Sequence, residues 1–282
     1  MANASPLAKN AYPVHGAISW GKVSMTNRLV LFVALVGAWP SGPKTSAPTQ
    51  VELDQVTARG RMLAEYDRAA WQATDAVLAT HPPSQSGQSY VCRKAEQVWT
   101  CAFGVLAPGK ERFLIWYEAT QENSTAPFQV KRNDPPQEDT GFLLSGARAL
   151  ALASKDFQST AQQRPYNASV LPAGSEQLYV YMVPAQTQDG VYPLGGDARY
   201  LVSKDGNEII EKRQLHKTIL EIKASPPGVK EAAGYHTHVL SDLPEDTDVF
   251  YVLTRKPAIP EYIAAGKLRY VVQTDGTVVR VK

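Results

Sequence analysis

The feature that most constrains the fold of this chain is a long series of short β-rich segments separated by turn residues, which begins near residue 89. Two of the turns, at Asp205-Gly206 and Asp275-Gly276, are two-residue signals that join adjacent antiparallel strands. The series therefore predicts antiparallel sheets built from hairpins. The predicted strands and hairpins lie at 89–93, 97–105, 112–119, 128–131, 177–184, 198–213, 215–222, 234–240, 247–254 and 268–281.

Two segments have apolar residues at helical spacing instead. The first runs from about residue 51 to 79 and places Tyr66 and Trp71 as core anchors, and the second runs from 141 to 158. The segment 133–136 contains two prolines and is expected to break the chain. Runs of strands with two main helices indicate an α+β fold with antiparallel sheets rather than an alternating βαβ fold.

Residues 1–48 have the pattern of a targeting segment followed by a linker. The apolar run 29–39 is much shorter than the roughly 20 residues of a membrane span, and it matches the apolar region of a secretory signal preceded by Arg28. We expect cleavage after Ala38 and a true start at Met25. A buried strand and an uncleaved membrane anchor are the alternatives. Residues 49–282 are then one α+β domain, with two lobes, 49–165 and 166–282, as a possible division.

The charge of the chain is concentrated in this N-terminal segment. The whole sequence has 29 basic and 27 acidic residues, and residues 1–48 contain four of the basic residues and no acid. The rest keeps 25 basic residues against 27 acidic ones, a net charge of −2. Because nucleic-acid binding needs a positively charged surface, we expect no nucleic-acid partner.

The two cysteines indicate a disulfide. Cys92 and Cys101 flank a polar segment between two β-rich runs, so a hairpin centred there would place their side chains opposite each other. A disulfide fits an exported chain, because disulfides persist in oxidising compartments. Two free thiols are the alternative, and a zinc site on these cysteines lacks further ligands nearby.

One segment contains the residue types of a metal site. His236 and His238 are two apart on a predicted strand and therefore face the same side, and Asp248 or Asp246 follows as a third ligand. Two imidazoles, one carboxylate and an open position form a catalytic zinc arrangement. The alternative is that the histidines are ordinary strand residues before an acidic turn.

This segment, with its Tyr-His-x-His and following aspartate, resembles the metal motif of the JAMM zinc hydrolases over about fifteen residues. The chain has Val239 and Glu245 where that family has Pro and Ser, and its gap to Asp248 is one residue shorter. The resemblance implies zinc and an upstream glutamate as general acid and base. Glu208, Glu211 and Glu221 are the candidates, and we take Glu221 for that role.

A second resemblance covers more of the chain. The run 195–206 (GGDARYLVSKDG), continuing to 212–217 (KRQLHK), is similar to a segment of uncharacterised exported bacterial proteins, as are 65–75 and 244–250. This resemblance implies export and no particular activity. Within it, Gly195-Gly196-Asp197 is interpreted as a turn into a strand, and His216 as a strand residue.

Taken together, these features predict an exported protein of the cell envelope or periplasm that acts by binding or association, without catalysis, cofactor or an identifiable partner. A divergent JAMM-like hydrolase that uses zinc is the alternative. Any membrane contact would pass through the N-terminal segment.

Overall fold

The computed structural model of the protein describes residues 48–83, 88–123, 125–158, 164–226 and 228–281, which contain three helices and fourteen strands. The α+β fold is confirmed. The helices are α1 (Gln50–Leu78), α2 (Phe142–Gln158) and α3 (Asp246–Thr254). The strands are β1 (Ser89–Ala95), β2 (Val98–Leu106), β3 (Phe113–Gln121), β4 (Gln129–Asp139), β5 (Tyr166–Pro172), β6 (Gln177–Pro184), β7 (Val191–Gly195), β8 (Ala198–Ser203), β9 (Ile209–Gln214), β10 (Ile219–Lys223), β11 (Gly234–His238), β12 (Glu261–Ala265), β13 (Leu268–Val272) and β14 (Val278–Val281).

The strands form four sheets in the described residues: β1-β2-β3-β4, β5-β6-β8-β9, β7-β10 and β11-β12-β13-β14. The predicted hairpins around Asp205-Gly206 and Asp275-Gly276 are confirmed as the antiparallel pairs β8-β9 and β13-β14. Their connections are longer than the two residues expected, because the hydrogen bonds that close them join Ser203 to Glu208 and Gln273 to Thr277. All pairings are antiparallel except β11-β12, which is parallel. The connection between these two strands contains α3, so the fourth sheet includes one βαβ crossover, an exception to the sequence-based expectation.

The first core lies between the helices α1 and α2 and the sheets β1-β2-β3-β4 and β5-β6-β8-β9. Tyr66 of α1 is fully buried there, its ring meets Trp99 edge to face, and its hydroxyl accepts a hydrogen bond from the backbone N–H of Cys92. The predicted disulfide between Cys92 and Cys101 is confirmed and links the paired strands β1 and β2 in this core. Trp71 was expected to be a core anchor, which is wrong: its side chain faces solvent and is 61% exposed.

Helix α1 takes part in both cores of the molecule. Its first turns bury Leu53 and Val56 in a second core with α3 and the sheet β11–β14, whereas its later turns belong to the first core. At Gly60 a Cβ would collide with Val249 and with the backbone oxygen of Asp246, so only glycine lets α3 cross α1 this closely. The helix thereby fixes where α3 begins.

Two predicted elements differ in the structure. Residues 247–254 were expected to be a strand, because they are rich in aromatic and β-branched residues, but they belong to the buried helix α3; tertiary packing overrides the weak local preference. Residues 133–136 do not end the strand and lie within the edge strand β4, but they interrupt its pairing with β3, which passes from Arg132–Tyr117 to Gln137–Ile115 across an irregularity where proline is tolerated. The strands β5, β7 and β12 had no counterpart in the sequence-based prediction.

Several sequence-based expectations concern residues outside the described part of the chain. These are the signal at 29–39, the start at Met25 and most of the linker before residue 48. Among the described residues, no helix combines the length and apolar character that crossing a membrane requires. The division into lobes at residues 165 and 166 stays a prediction.

Replacing Asp67 in α1 with asparagine is expected to stabilise the protein at neutral pH. Burial raises the pKa of the Asp67 carboxyl to about 6, so above that pH the folded state keeps an ionised group that the unfolded chain solvates better. We expect Asp67→Asn to raise the free energy of unfolding at pH 8 by about 1–2 kcal/mol, after discounting for its partial exposure.

The gain is expected to vanish as the pH falls from 6 to 4, because the native carboxyl then takes up a proton and loses its penalty. Urea unfolding at pH 8 and at pH 4 measures this change. The control is Asp54→Asn, at an exposed position of the same helix. Equal stability of Asp67→Asn and the parent chain at pH 8 would contradict the prediction.

Candidate metal centre

Three histidines and one aspartate converge in the C-terminal part of the molecule. The cluster consists of His216, His236, His238 and Asp248, and one ligand atom from each lies within 4.8 Å of all the others. The Nε2 atoms of His216 and His236 are each 3.1 Å from Oδ1 of Asp248, and Nε2 of His238 is 3.2 Å from Oδ2. All four side chains are buried, and His216 is the most exposed at 9%.

The βαβ crossover brings three of these residues together. Alternation along β11 turns His236 and His238 to the same buried face of the sheet, and α3 returns above that face. Asp248 is the third residue of α3, and its Oδ2 accepts a hydrogen bond from the backbone N–H of Glu245 at 2.7 Å. Oδ1 of this carboxylate therefore faces His216 and His236, while Oδ2 both accepts from the backbone at the start of the helix and faces His238.

His216 reaches the cluster from a different part of the chain, the irregular segment between β9 and β10. This segment packs closely against the turn at Gly195 and Gly196, whose φ angles are +86° and +68°. A Cβ at Gly195 would collide with the backbone oxygen of Thr218, and one at Gly196 would collide with Ile219. The two glycines are thus required both by their backbone conformation and by the close approach that delivers His216.

Each imidazole is held by an acceptor on its other nitrogen. Nδ1 of His216 lies 2.7 Å from Oδ1 of Asp197, and Nδ1 of His236 lies 2.9 Å from Oε1 of Glu261. Nδ1 of His238 lies 2.8 Å from the backbone oxygen of Leu243. Because carboxylate and carbonyl oxygens only accept hydrogen bonds, each Nδ1 is the protonated nitrogen, which turns the three Nε2 atoms toward one another.

The convergence of these Nε2 atoms demands positive charge between them. Nε2 of His238 is 3.0 Å from Nε2 of His216 and 3.1 Å from Nε2 of His236, distances at which two lone pairs repel. Only protons or a cation can occupy the space between them and Asp248. The three imidazoles and the carboxylate are donor groups that a transition metal ion takes as ligands.

Without a metal, the surrounding carboxylates favour protonated histidines. Burial opposes protonation of His216, but Asp197 and Asp248 outweigh it and raise its pKa to about 11. Burial likewise opposes protonation of His236, while Asp248 and Glu261 raise its pKa to about 9. Burial also disfavours ionised Asp248, yet the imidazoles around it hold the pKa of this carboxyl well below its usual range.

A second buried carboxylate stands beside the cluster. Asp246 was the sequence-based alternative to Asp248, and the structure assigns it another partner set: Arg59 at 2.9 Å, Arg199 at 2.5 Å and the Tyr181 hydroxyl at 2.7 Å. Burial raises the pKa of Tyr181 well above its ordinary value, so its hydroxyl remains a donor. This network, which we call the Asp246 network, ties the first turn of α3 to α1, β6 and β8.

The structure brings His236, His238 and Asp248 together, as the metal-site alternative required. It does not bring in the glutamate that the JAMM resemblance implied. Glu221 lies on β10, is half exposed and forms an ion pair with Arg164, while Glu208 and Glu211 are exposed and also lie outside the cluster. His216 is the additional member.

Sequence reasoning missed His216 because this residue lies in the irregular segment between β9 and β10, where no strand alternation relates it to the other members of the cluster. A signal was nevertheless present in the second resemblance, which joined Gly195-Gly196-Asp197 and His216 in one segment. The turn interpretation of Gly195-Gly196-Asp197 fits the structure, and Asp197 is the residue that holds His216. The strand interpretation of His216 is wrong, because it lies between strands.

Comparison with known proteins found no matching family model, no significantly similar curated protein and no significantly similar solved structure.

Proposed function

We propose that the protein binds one divalent transition metal ion, zinc foremost, through His216, His236, His238 and Asp248. The observation that carries the proposal is the set of three buried Nε2 atoms directed at one carboxylate while all three Nδ1 atoms are committed to acceptors. Imidazole and carboxylate together suit zinc and its neighbours, whereas Ca²⁺ and Mg²⁺ select sites made of oxygen atoms.

The distances in the cluster fit a tetrahedral zinc site. Ligand atoms placed about 2.0–2.1 Å from zinc lie about 3.3 Å from one another in a tetrahedron. Nε2 of His238 lies 3.0 and 3.1 Å from the other two Nε2 atoms, each imidazole lies 3.1 or 3.2 Å from an oxygen of Asp248, and all four ligand atoms lie within 4.8 Å of one another. Side-chain adjustments would therefore bring the four ligand atoms to tetrahedral spacing. Four protein ligands leave no coordination position open, which favours a binding or structural role for the metal.

The experiment is metal analysis of the purified full-length chain, followed by competition with a chromophoric zinc chelator. We expect about one zinc per chain, held tightly, with three nitrogen neighbours and one oxygen neighbour in the X-ray absorption spectrum. A chain that purifies without metal and takes up no added zinc would overturn the proposal.

Residues that hold the imidazoles should control zinc affinity without touching the metal. Asp197→Asn and Glu261→Gln keep the side-chain shape but remove the negative acceptor, so each is expected to weaken zinc binding by about 10–100-fold. Chelator competition measures the change, and Glu221→Gln, outside the cluster, serves as the control. Unchanged affinity in both variants would contradict the assigned arrangement.

We propose further that this binding takes place after export to the cell envelope or periplasm. The disulfide Cys92–Cys101 supports an oxidising compartment, and the apolar run 29–39 supports a secretory signal. N-terminal sequencing of the protein from a cell-envelope fraction is expected to begin at Trp39. An intact N-terminus on a cytosolic protein would contradict export.

A metal-dependent hydrolase is the second candidate, supported by the convergence of the JAMM-like residues His236, His238 and Asp248. In that case three ligands hold the metal, and His216, the most exposed member, faces an open fourth position. His216→Ala separates the two candidates: the four-ligand site loses at least about 100-fold in zinc affinity, more than a residue outside the ligand set would cost, whereas the hydrolase keeps zinc and loses activity.

A further inference from the structure

Gly234, the first residue of β11, leaves room for a carboxylate that holds one imidazole of the cluster. It is paired with Glu261 of the parallel strand β12, so the two residues lie side by side and face the same side of the sheet. A Cβ at Gly234 would collide with Oε2 of Glu261 and lie 2.8 Å from its Cδ and 3.1 Å from its Oε1. The Glu261 carboxylate therefore occupies the space that a side chain at residue 234 would fill.

The backbone at residue 234 does not itself require glycine. Gly234 belongs to a strand, and its φ angle lies outside the left-handed region that favours glycine. Glycine weakens a strand, and its presence there often marks a place where another group comes close. Here that group is the carboxylate of Glu261, a residue that is only 2% exposed. The space beside Gly234, rather than its backbone conformation, is what the neighbouring strand uses.

The place of this carboxylate matters because the same group holds His236. Residues 234 and 236 are two apart on β11 and face the same side. Oε1 of Glu261 lies 2.9 Å from Nδ1 of His236, whose Nε2 is 3.1 Å from Oδ1 of Asp248. A carboxylate on the outer nitrogen fixes the orientation of an imidazole and makes it a stronger metal ligand. A chain of contacts thus leads from Gly234 through Glu261 and His236 to the centre of the cluster.

We propose that Gly234 is a positioning residue of the metal site: its missing side chain lets Glu261 hold His236 in the orientation that binds the ion. This role rests on the proposed metal binding and adds a residue that is neither a ligand nor a hydrogen-bond partner of one. A methyl group at residue 234 would displace both oxygens of the Glu261 carboxylate. Because the carboxylate is the far end of a flexible side chain, it can swing away, and the main loss should fall on zinc affinity.

Competition of the purified full-length chain and its variants with a chromophoric chelator for zinc tests this role. Gly234→Ala is expected to weaken zinc binding by about 10–100-fold, as loss of the supporting carboxylate itself does. The matched control is Gly141→Ala, since a Cβ at Gly141 would lie at an ordinary contact distance of 3.8 Å from the Asp139 carboxylate. Gly141→Ala should bind zinc like the wild type.

A double-variant cycle separates positioning of Glu261 from a general disturbance of β11. In the Glu261→Ala background the carboxylate is absent, so adding Gly234→Ala should leave zinc affinity unchanged, whereas a disturbed strand would lower it further. Thermal unfolding in EDTA checks that each variant folds. Where Gly234→Ala alone fails to fold, the double variant, which has room for the methyl group, is compared with Glu261→Ala instead.

The outcomes separate this role from metal binding itself. Wild-type zinc affinity in a folded Gly234→Ala variant, or a further loss of tenfold or more in the double variant relative to Glu261→Ala, would overturn the role of Gly234 and leave the proposed function standing. A wild-type chain that takes up no zinc would overturn the proposed function and the role of Gly234 with it.

Discussion

The His238→Ala variant is expected to lose zinc almost completely. Nε2 of His238 faces both other imidazoles and Asp248, and its side chain is only 1% exposed, so solvent cannot readily replace it. Removing a ligand should cost more than the roughly 10–100-fold that follows loss of a supporting residue. We therefore expect the affinity for zinc to fall by at least about 100-fold.

The variant should also lose the stabilisation that bound zinc gives to the folded chain. Zinc at a hundredfold excess over its dissociation constant stabilises the folded chain by about 2.7 kcal/mol, and His238→Ala should forgo that gain. Thermal unfolding with and without EDTA measures it: the wild type should lose stability on chelation and the variant should not. His81→Asn is the control, since His81 lies outside the cluster in a left-handed conformation that asparagine tolerates. Equal EDTA sensitivity of His238→Ala and the wild type would refute the role of this residue.

The Asp246→Ala variant is expected to be the most destabilised single substitution in the Asp246 network. Asp246 has no exposed surface, and its removal leaves the Arg199 guanidinium, only 10% exposed, without its carboxylate. It also leaves the buried hydroxyl of Tyr181 without its acceptor. Removal of one partner of a buried ion pair typically costs 3–5 kcal/mol, and we expect the free energy of unfolding to fall by about that amount.

Urea unfolding in the presence of excess zinc measures this cost separately from metal binding. The exposed pair Lys204–Glu176 offers a matched control, because Glu176→Ala removes one partner of an ion pair in solvent and should cost at most about 1 kcal/mol. Asp246→Asn keeps one acceptor oxygen and should fall between the two. A cost below about 1 kcal/mol for Asp246→Ala would show that the network does not hold α3.

Local sequence patterns were sufficient to predict those features that are formed by residues close together in the sequence. The disulfide could be predicted because Cys92 and Cys101 flank the turn of one hairpin. The hairpins at residues 205 and 275 could be predicted because Asp-Gly favours tight turns between antiparallel strands. The helix α1 followed from its apolar spacing. Its most exposed aromatic residue, Trp71, was misplaced because spacing alone does not define the edge of a buried stripe.

The candidate metal centre depends on contacts that no local pattern encodes. His236 and His238 could be paired from their alternation, but Asp248 was assigned to a strand and reaches them from a helix. His216 joins them only because the turn at Gly195 and Gly196 packs against its segment. Buried partners at large sequence separation therefore decide the site, and a single sequence gives no measure of them.

The position of helix α1 has a consequence for the order in which the two cores assemble during synthesis. Its first turns are synthesised early, yet the strands that cover Leu53 and Val56 end only at residue 281. The ligands and their supporting carboxylates likewise span residues 197–261. Since a chain emerges from its N-terminus, most of the first core can assemble before the second, and the proposed metal site can form only after nearly all of the chain has emerged.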